Sequence, residues 1–235
     1  MVPYFKQLLS GKDFAKNDNI AKEMRNFCYL LGDKSIGKAV VIDPAYDPKD
    51  ILNILENDQM ELSGILVSHY HADHVGGDLF GLKLKGVAEL LEIIDVPVHV
   101  NKEELPWVKR VTGLGDEELI AHDASDLLEL GEIKIRLLHT PGHTPGSQCF
   151  YVNDSILISG DTLFLDGCGR TDLPGSDPEK MYYSLSNVLA KLPDETVIYP
   201  GHFYSRESCA ALGNVKEKNF VFKPKSLEEW LRIFN

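Results

Sequence analysis

Seven side chains in this sequence are of types that hold metal ions, and they recur in one kind of place. His69-Tyr70-His71-Ala72-Asp73-His74 brings three histidines and an aspartate into six residues. Pro141-Gly142-His143, Gly160-Asp161 and Pro200-Gly201-His202 add two histidines and an aspartate. As plain surface, the first cluster would be mutually repulsive when protonated. Imidazole with carboxylate suits Zn²⁺, Fe²⁺ or Mn²⁺. One tetrahedral catalytic ion takes three protein ligands and keeps a position open. Five histidines and two aspartates are too many for that and about right for two ions sharing a carboxylate. Ions roughly 3.5–4 Å apart can clamp a hydroxide and polarise a carbonyl. His99, His122 and His139 have no such company and read as solvated or backbone-bonded side chains.

Each ligand segment follows an apolar strand. Ser63–Ser68, Glu132–His139, Ser155–Ser159 and Thr196–Tyr199 are the four strands that deliver them. Loops at strand ends are where rigid scaffolds present functional groups. The unbroken Gly-Ile-Leu-Val of Ser63–Ser68 suits a strand covered on both faces. Asn26–Gly32 and Lys38–Asp43 predict two adjacent strands, and Ser147–Asn153 pairs with Ser155–Ser159 around Asn153-Asp154. Asp47-Pro48 and Asp177-Pro178 each place a cap before a proline at the first helical position. The first helix turns Ile51, Leu52, Ile54 and Leu55 to one face, and the second buries Met181, Leu185, Val188, Leu189 and Leu192. Gly86–Ile94 and Asn101–Val111 read as helices around a strand at Val96–Val100, with a last helix at Ser226–Phe234. Interleaved strands and helices with hairpins among them predict a helix–sheet–sheet–helix sandwich.

The chain has 235 residues, 43% of them hydrophobic, enough for one sizeable core. No apolar run approaches a membrane span, and Met1–Phe14 lacks a signal-peptide core. Cys28, Cys149, Cys168 and Cys209 form no CxxC and read as thiols of a reducing, cytoplasmic compartment. Thirty-six acids against 24 bases give a charge of -12, which argues against nucleic acid as a partner.

His-x-His-x-Asp-His, followed in order by Gly-His, Gly-Asp and Gly-His, resembles the metallo-β-lactamase fold superfamily over nearly the whole chain. The resemblance implies a four-layer αββα sandwich with its site at one edge. It covers residues 1–235 as a single domain with a short helical tail from about residue 205. It implies that His69, His71 and His143 hold one ion, that Asp73, His74 and His202 hold the other, and that Asp161 bridges them. Zinc is the first expectation, with iron or manganese next. Gly160-Asp161-Thr162-Leu163-Phe164 and Gly167-Cys168-Gly169-Arg170-Thr171-Asp172 are similar to two subgroups: glyoxalase II (hydroxyacylglutathione hydrolase) and the single-iron persulfide dioxygenases.

On the first likeness the chain hydrolyses a thioester, with Asp73 orienting the nucleophile and accepting a proton. Arg170 and Tyr204 match positions that lie near glutathione in those relatives. Arg170 has a second reading, as a partner of Asp172 that braces its loop. Cys168 reads as structural. On the second likeness His69, His143 and Asp161 hold one iron. A lactonase or other ester hydrolase would keep the same ligands. Glyoxalase II carries a longer basic C-terminal part, which this sequence lacks after His202; Lys216, Lys218, Lys223 and Lys225 stand in that region. The stretch Gly81–Val111, with Trp107, is long for either relative and reads as a lid, a dimer contact or core packing. The expected partner is a small molecule, a thioester that glutathione would carry, with no membrane; self-association stays open.

Overall fold

The computed structural model describes residues 2–234. The first sheet contains β1 (Tyr4–Leu9), β2 (Phe27–Asp33), β3 (Lys38–Ile42) and β4 (Glu61–Leu66). After a small hairpin of β5 (Gly77–Leu79) and β6 (Leu82–Leu84), it adds β7 (Val98–Asn101) and β8 (Leu119–His122). The second contains β9 (Leu127–Leu130), β10 (Ile133–His139), β11 (Gln148–Val152), β12 (Ile156–Gly160), β13 (Val197–Pro200) and β14 (Ala210–Ala211). Their spatial orders are β1-β2-β3-β4-β7-β8 and β14-β13-β12-β11-β10-β9. The helices are α1 (Asn19–Met24), α2 (Pro48–Asn57), α3 (Ala72–Val75), α4 (Val87–Leu91), α5 (Leu105–Thr112), α6 (Pro178–Tyr183), α7 (Leu212–Lys218) and α8 (Leu227–Phe234).

β3, β4, β7 and β8 are parallel, as are β12 and β13. Parallel neighbours need crossovers, and helices supply them. α2 joins β3 to β4 and α6 lies between β12 and β13 in the chain. Asp47 caps α2 by accepting the Asp50 N–H at 3.1 Å, and Asp177 caps α6 by accepting that of Lys180 at 3.0 Å. Asn153 and Asp154, both at positive φ, close the tight turn between β11 and β12.

The apolar residues sort into three layers. Leu31, Ile42 and Leu66 face Ile135, Phe150 and Ile158 between the sheets. Val41 and Ile65 pack outward with Ile51, Leu55, Val87 and Leu90. Leu157 and Ile198 pack outward on the other side with Met181, Leu185, Leu212 and Trp230. The result is the four-layer αββα sandwich. From Gly64 on, β4 is covered on both faces, which is why Gly-Ile-Leu-Val shows no alternation.

Some elements differ from the expectation. The helix expected at 101–111 begins only at Leu105, because Asn101 ends β7 and its side chain accepts the Glu103 N–H at 3.0 Å. The helix expected at 86–94 shrinks to Val87–Leu91. Val188 and Leu192 are only partly buried, unlike Met181, Leu185 and Leu189. Within 81–111, Leu84, Val87, Leu90, Val98, Val100 and Val108 are core residues. Trp107 stacks on Tyr70 at 4.9 Å between ring centroids. These side chains of the stretch pack into the core. Among the described residues no helix is long and apolar enough to cross a membrane.

The end of the chain is anchored by Trp230, which is fully buried and donates its indole N–H to the Pro178 carbonyl at 2.7 Å. Trp230→Ala should cost about 3–5 kcal/mol. Urea unfolding checks this; a midpoint equal to wild type would show that α8 adds nothing to the second outer layer.

Candidate metal centre

All the ligand-type residues singled out in the sequence meet at one edge of the sandwich, beyond the ends of β4, β10, β12 and β13. β4 leads to His69, and the single turn of α3 then swings Asp73 and His74 inward. β10 leads to His143, β12 to Asp161 and β13 to His202. Gly160 turns at φ +48 to start the Asp161 loop. A Cβ on Gly201 would lie 2.3 Å from Asp161 Oδ1, so only glycine lets the two loops touch.

The donor atoms form two groups. His69, His71 and His143 make one; Asp73, His74 and His202 make the other. Asp161 sits between them. Its Oδ2 is 3.6 Å from His143 Nε2 and 3.3 Å from His202 Nε2, and its Oδ1 is 3.4 Å from His74 Nε2.

The far side of each ring explains the inward aim. His143 Nδ1 lies 2.8 Å from the Arg170 carbonyl and His202 Nδ1 2.9 Å from the Met24 carbonyl. A carbonyl only accepts, so both rings carry a proton on Nδ1 and turn Nε2 towards the centre. His74 Nδ1 faces Asp43 Oδ2 at 3.0 Å. The same carboxylate oxygen accepts from the Ser68 hydroxyl at 2.5 Å, and that hydroxyl faces His69 Nδ1 at 2.9 Å. Asp43, His69 and His74 also form a compact triad of donor atoms. Asp43 is already satisfied by Ser68 and His74, so it orients rings instead of opening a third site.

The donor set fits a divalent cation. His143 Nε2 and His71 Nδ1 approach to 3.0 Å, and His74 Nε2 and His202 Nε2 to 3.2 Å. Ring nitrogens this close need a proton or a cation between them. His69 Nε2 and Asp161 Oδ1 are buried with no hydrogen-bond partner, an arrangement that costs free energy without a ligand. Burial holds His69, His71 and His143 below the ordinary imidazole range, His71 at about 4, with neighbouring imidazoles adding to it. They are neutral at pH 7. Burial also opposes charge on His74, but Asp161, Asp73 and Asp43 outweigh it and raise that ring to about 10. Burial opposes ionisation of Asp73 and Asp161, and the facing imidazoles win, holding both carboxyls low.

Four buried residues of the site carry no sequence motif. Asp43 and Ser68 could have been found, since each closes a strand that leads to this edge. Asn26 lies against the Asp73 group: its Nδ2 donates to Asp73 Oδ2 at 2.9 Å, and its Oδ1 accepts from the Tyr46 hydroxyl at 2.7 Å. Glu104 ties two ligand loops together. It accepts from Tyr70 N–H at 2.8 Å, Thr144 Oγ1 at 2.7 Å and Gly146 N–H at 2.6 Å. Tyr70 lies between His69 and His71, and Thr144 follows His143. Burial pushes the Glu104 carboxyl up and these donors partly offset it.

Arg170 and Tyr204 lie outside the cluster. The Arg170 guanidinium makes two 2.8 Å bonds to Asp172, and both side chains are exposed. Tyr204 is exposed and stacks on His202 at 4.5 Å. His139 bonds the Pro145 carbonyl, and His99 pairs with His122, all away from the centre. Burial pushes the Cys168 thiol up to about 12, so it is no nucleophile at neutral pH.

A sandwich of this layering with a histidine–aspartate centre at one edge defines a metal-binding class of fold. The Metallo-beta-lactamase superfamily profile matches residues 22–202, and the chain belongs to that superfamily. It is 37% identical over 206 residues to a protein of Arabidopsis thaliana named "Hydroxyacylglutathione hydrolase cytoplasmic", covering 85% of this chain and 72% of that one. It is 29% identical over 211 residues to the "Probable polyketide biosynthesis zinc-dependent hydrolase BaeB" of Bacillus velezensis, covering 89% and 87%. In structure it is similar to ETHE1 from Myxococcus xanthus, with a TM-score of 0.79 at 28% identity, covering 100% of this chain and 90% of that one.

Two predictions follow from the anchoring of the site. Glu104→Ala strands three buried donors and should cost more than about 2 kcal/mol in urea unfolding, with looser metal retention; unchanged values for both would remove Glu104 from the support of the site. In chelator-stripped protein, His71 binds its proton near pH 4 when folded and near 6.5 when unfolded. Its contribution is full above pH 6.5 and is lost as pH falls towards 4, at about 1.4 kcal/mol per pH unit. His69 and His143 act in the same direction. His74 acts oppositely: its contribution is lost as pH rises towards about 10. A stability profile flat from pH 6.5 to 4 would contradict these buried neutral rings.

Proposed function

We propose that this chain is a binuclear metallohydrolase that cleaves a thioester. The observation that carries the reading is the position of Asp161, within 3.3–3.6 Å of ring nitrogens in both donor groups. The names of the Arabidopsis and Bacillus relatives support hydrolysis, and the second supports zinc. In this reading His69, His71 and His143 hold one ion, Asp73, His74 and His202 the other, and Asp161 both.

When bound, such ions lower the pKa of water and polarise a carbonyl oxygen. The remaining work falls to side chains. Asp73, buried and anionic, orients the attacking water and takes up a proton afterwards. A thiolate leaves without a strong general acid, and the cluster offers none. Glu104 and Asp43 hold the loops and rings still. Tyr204, at the rim on His202, gives the carrier an aromatic surface. Beside it along the chain a cavity of about 540 Å³ has two acids, Asp166 and Glu207, and two bases, Arg206 and Lys218, among its lining residues. Arg170 joins only if a substrate carboxylate displaces Asp172, an exchange that solvent makes easy. All four cysteines are free thiols, which supports a cytoplasmic setting.

The test joins elemental analysis of protein purified without added metal to turnover of S-lactoylglutathione and oxygen uptake on glutathione persulfide. About two ions per chain, thioester cleavage and no oxygen uptake are expected. Asp161→Ala should lower turnover beyond the ~10–100-fold typical of outer partners. One iron per chain with oxygen uptake would replace the hydrolase by a dioxygenase.

A further inference from the structure

The turn after β3 sends two side chains to the back of the Asp73 half. Asp43 and Tyr46 are its left-handed residues, at φ +55 and +78. That conformation is costly for residues other than glycine, most of all for a bulky aromatic one. The two strained residues are the ones aimed at the centre. Asp43 faces His74, and the buried Tyr46 donates its hydroxyl to Asn26 Oδ1 at 2.7 Å. The backbone holds Tyr46 in place, since its N–H donates to the Lys85 carbonyl at 2.8 Å. Asn26 passes the contact on: its Nδ2 donates to Asp73 Oδ2 at 2.9 Å.

We infer that Tyr46 is a positioning residue, which through Asn26 fixes the Asp73 carboxylate for the reaction proposed above. The inference rests on that reading of Asp73. The two ends of a carboxamide are the same size and exchange by a half-turn about χ2. Only the nitrogen end can serve a carboxylate, which accepts and does not donate. A hydroxyl that donates to the oxygen end selects that orientation. Burial, with Asp73 and Asp18 nearby, pushes the Tyr46 phenol above its usual range, so it keeps the proton it donates. The backbone fixes Asn26 from the other side: Asn26 bridges His202, and Phe27 N–H donates to the Gly201 carbonyl at 2.8 Å. Asn26 is thus registered to the last ligand loop, and the Tyr46 hydroxyl sets which way its amide points.

Oδ2 is the Asp73 oxygen that faces the rings, 3.6 Å from His74 Nε2 and 3.4 Å from His202 Nε2. Each oxygen of an ionised carboxylate has two lone pairs. Asn26 takes one on Oδ2 and turns the other towards the position shared with His74 and His202. Oδ1 of Asp73 is then left to orient the water. Without the Tyr46 hydroxyl, the buried Asn26 oxygen loses its donor. The amide is then free to turn, and the Asp73 carboxylate with it. Tyr46 acts on the reaction from behind, with no contact to substrate.

Tyr46→Phe keeps the ring and its packing and removes only the hydroxyl. It is compared with Asn26→Leu and with the double variant, in turnover of S-lactoylglutathione and, without substrate, in the visible absorption of the Co²⁺ forms. Tyr46→Phe should lower kcat about 10–100-fold, the range of outer partners, with KM unchanged and the Co²⁺ bands shifted. Asn26→Leu should lower kcat at least as far. The double variant should fall no further than Asn26→Leu, because Tyr46 acts through Asn26. A tyrosine that only packs the core predicts a lower urea midpoint with kcat and Co²⁺ bands as in wild type, and that result would overturn the inference. So would losses that add in the double variant. If Asn26→Leu fails to fold, kcat and the Co²⁺ bands of Tyr46→Phe still decide. Absence of thioester turnover in wild type would sink the proposed reaction alone. The Co²⁺ bands, read without substrate, would still show whether the hydroxyl sets Asp73.

Discussion

Ring nitrogens facing one another in a dry pocket are the constraint on which this site depends. Imidazoles do not gather this way by packing preference, because burial penalises their charge and their lone pairs repel. They are held by what lies behind them. Backbone carbonyls of Arg170 and Met24 fix His143 and His202, and the Asp43–Ser68 pair fixes His74 and His69. Each anchor belongs to a different segment from the ring it holds, apart from Ser68 beside His69. Loosening any one segment would turn a ring away from the centre.

The sandwich supplies the rigidity. β4 carries the first motif from inside a sheet covered on both faces, and β10, β12 and β13 carry the others from the opposing sheet. The sheets are tied at the site itself. Gln148 N–H donates to the Ser68 carbonyl at 2.9 Å, and the Gln148 side chain donates to the Val67 carbonyl at 2.8 Å. Asn26 and His202 bridge the start of β2 to the end of β13. These cross-sheet bonds set the distance between the halves of the centre, which strand order alone would leave free.

What was legible in the sequence was short-range. Ser63–Ser68 reads as a buried strand because every residue from Gly64 on is shielded, and Asp47-Pro48 reads as a helix start because both residues act within one turn. The ligand motifs read clearly for the same reason: His69 to His74 is a local cluster, and each later ligand sits beside its own glycine. What was illegible is long-range. Glu104 sits at the entry to α5 and serves loops 34 and 40 residues away. Asn26 precedes a strand, and its part in the centre exists only because β2 meets the His202 loop. The edge strands β1, β8 and β9 are short or polar, and tertiary pairing forms them more than their own pattern does. Arg170 was open to two readings, and the structure places its fork on Asp172.

The two halves of the centre differ in charge, and this difference gives the proposed chemistry a direction. One half consists of three imidazoles that burial keeps neutral. The other holds Asp73, with Asp43 bonded to the back of His74. A dication on the first side would be compensated by Asp161 alone, whereas one on the second side would face Asp73 as well. With ions bound, the less compensated side would draw a carbonyl oxygen more strongly, because a low-dielectric pocket magnifies unbalanced charge. Tyr70, on which Trp107 stacks, packs edge-on to His71 at 4.6 Å and walls this same side. In the proposed reaction, carbonyl capture would fall to the three-histidine side and proton handling to the Asp73 side, a division set by where the protein put its carboxylates.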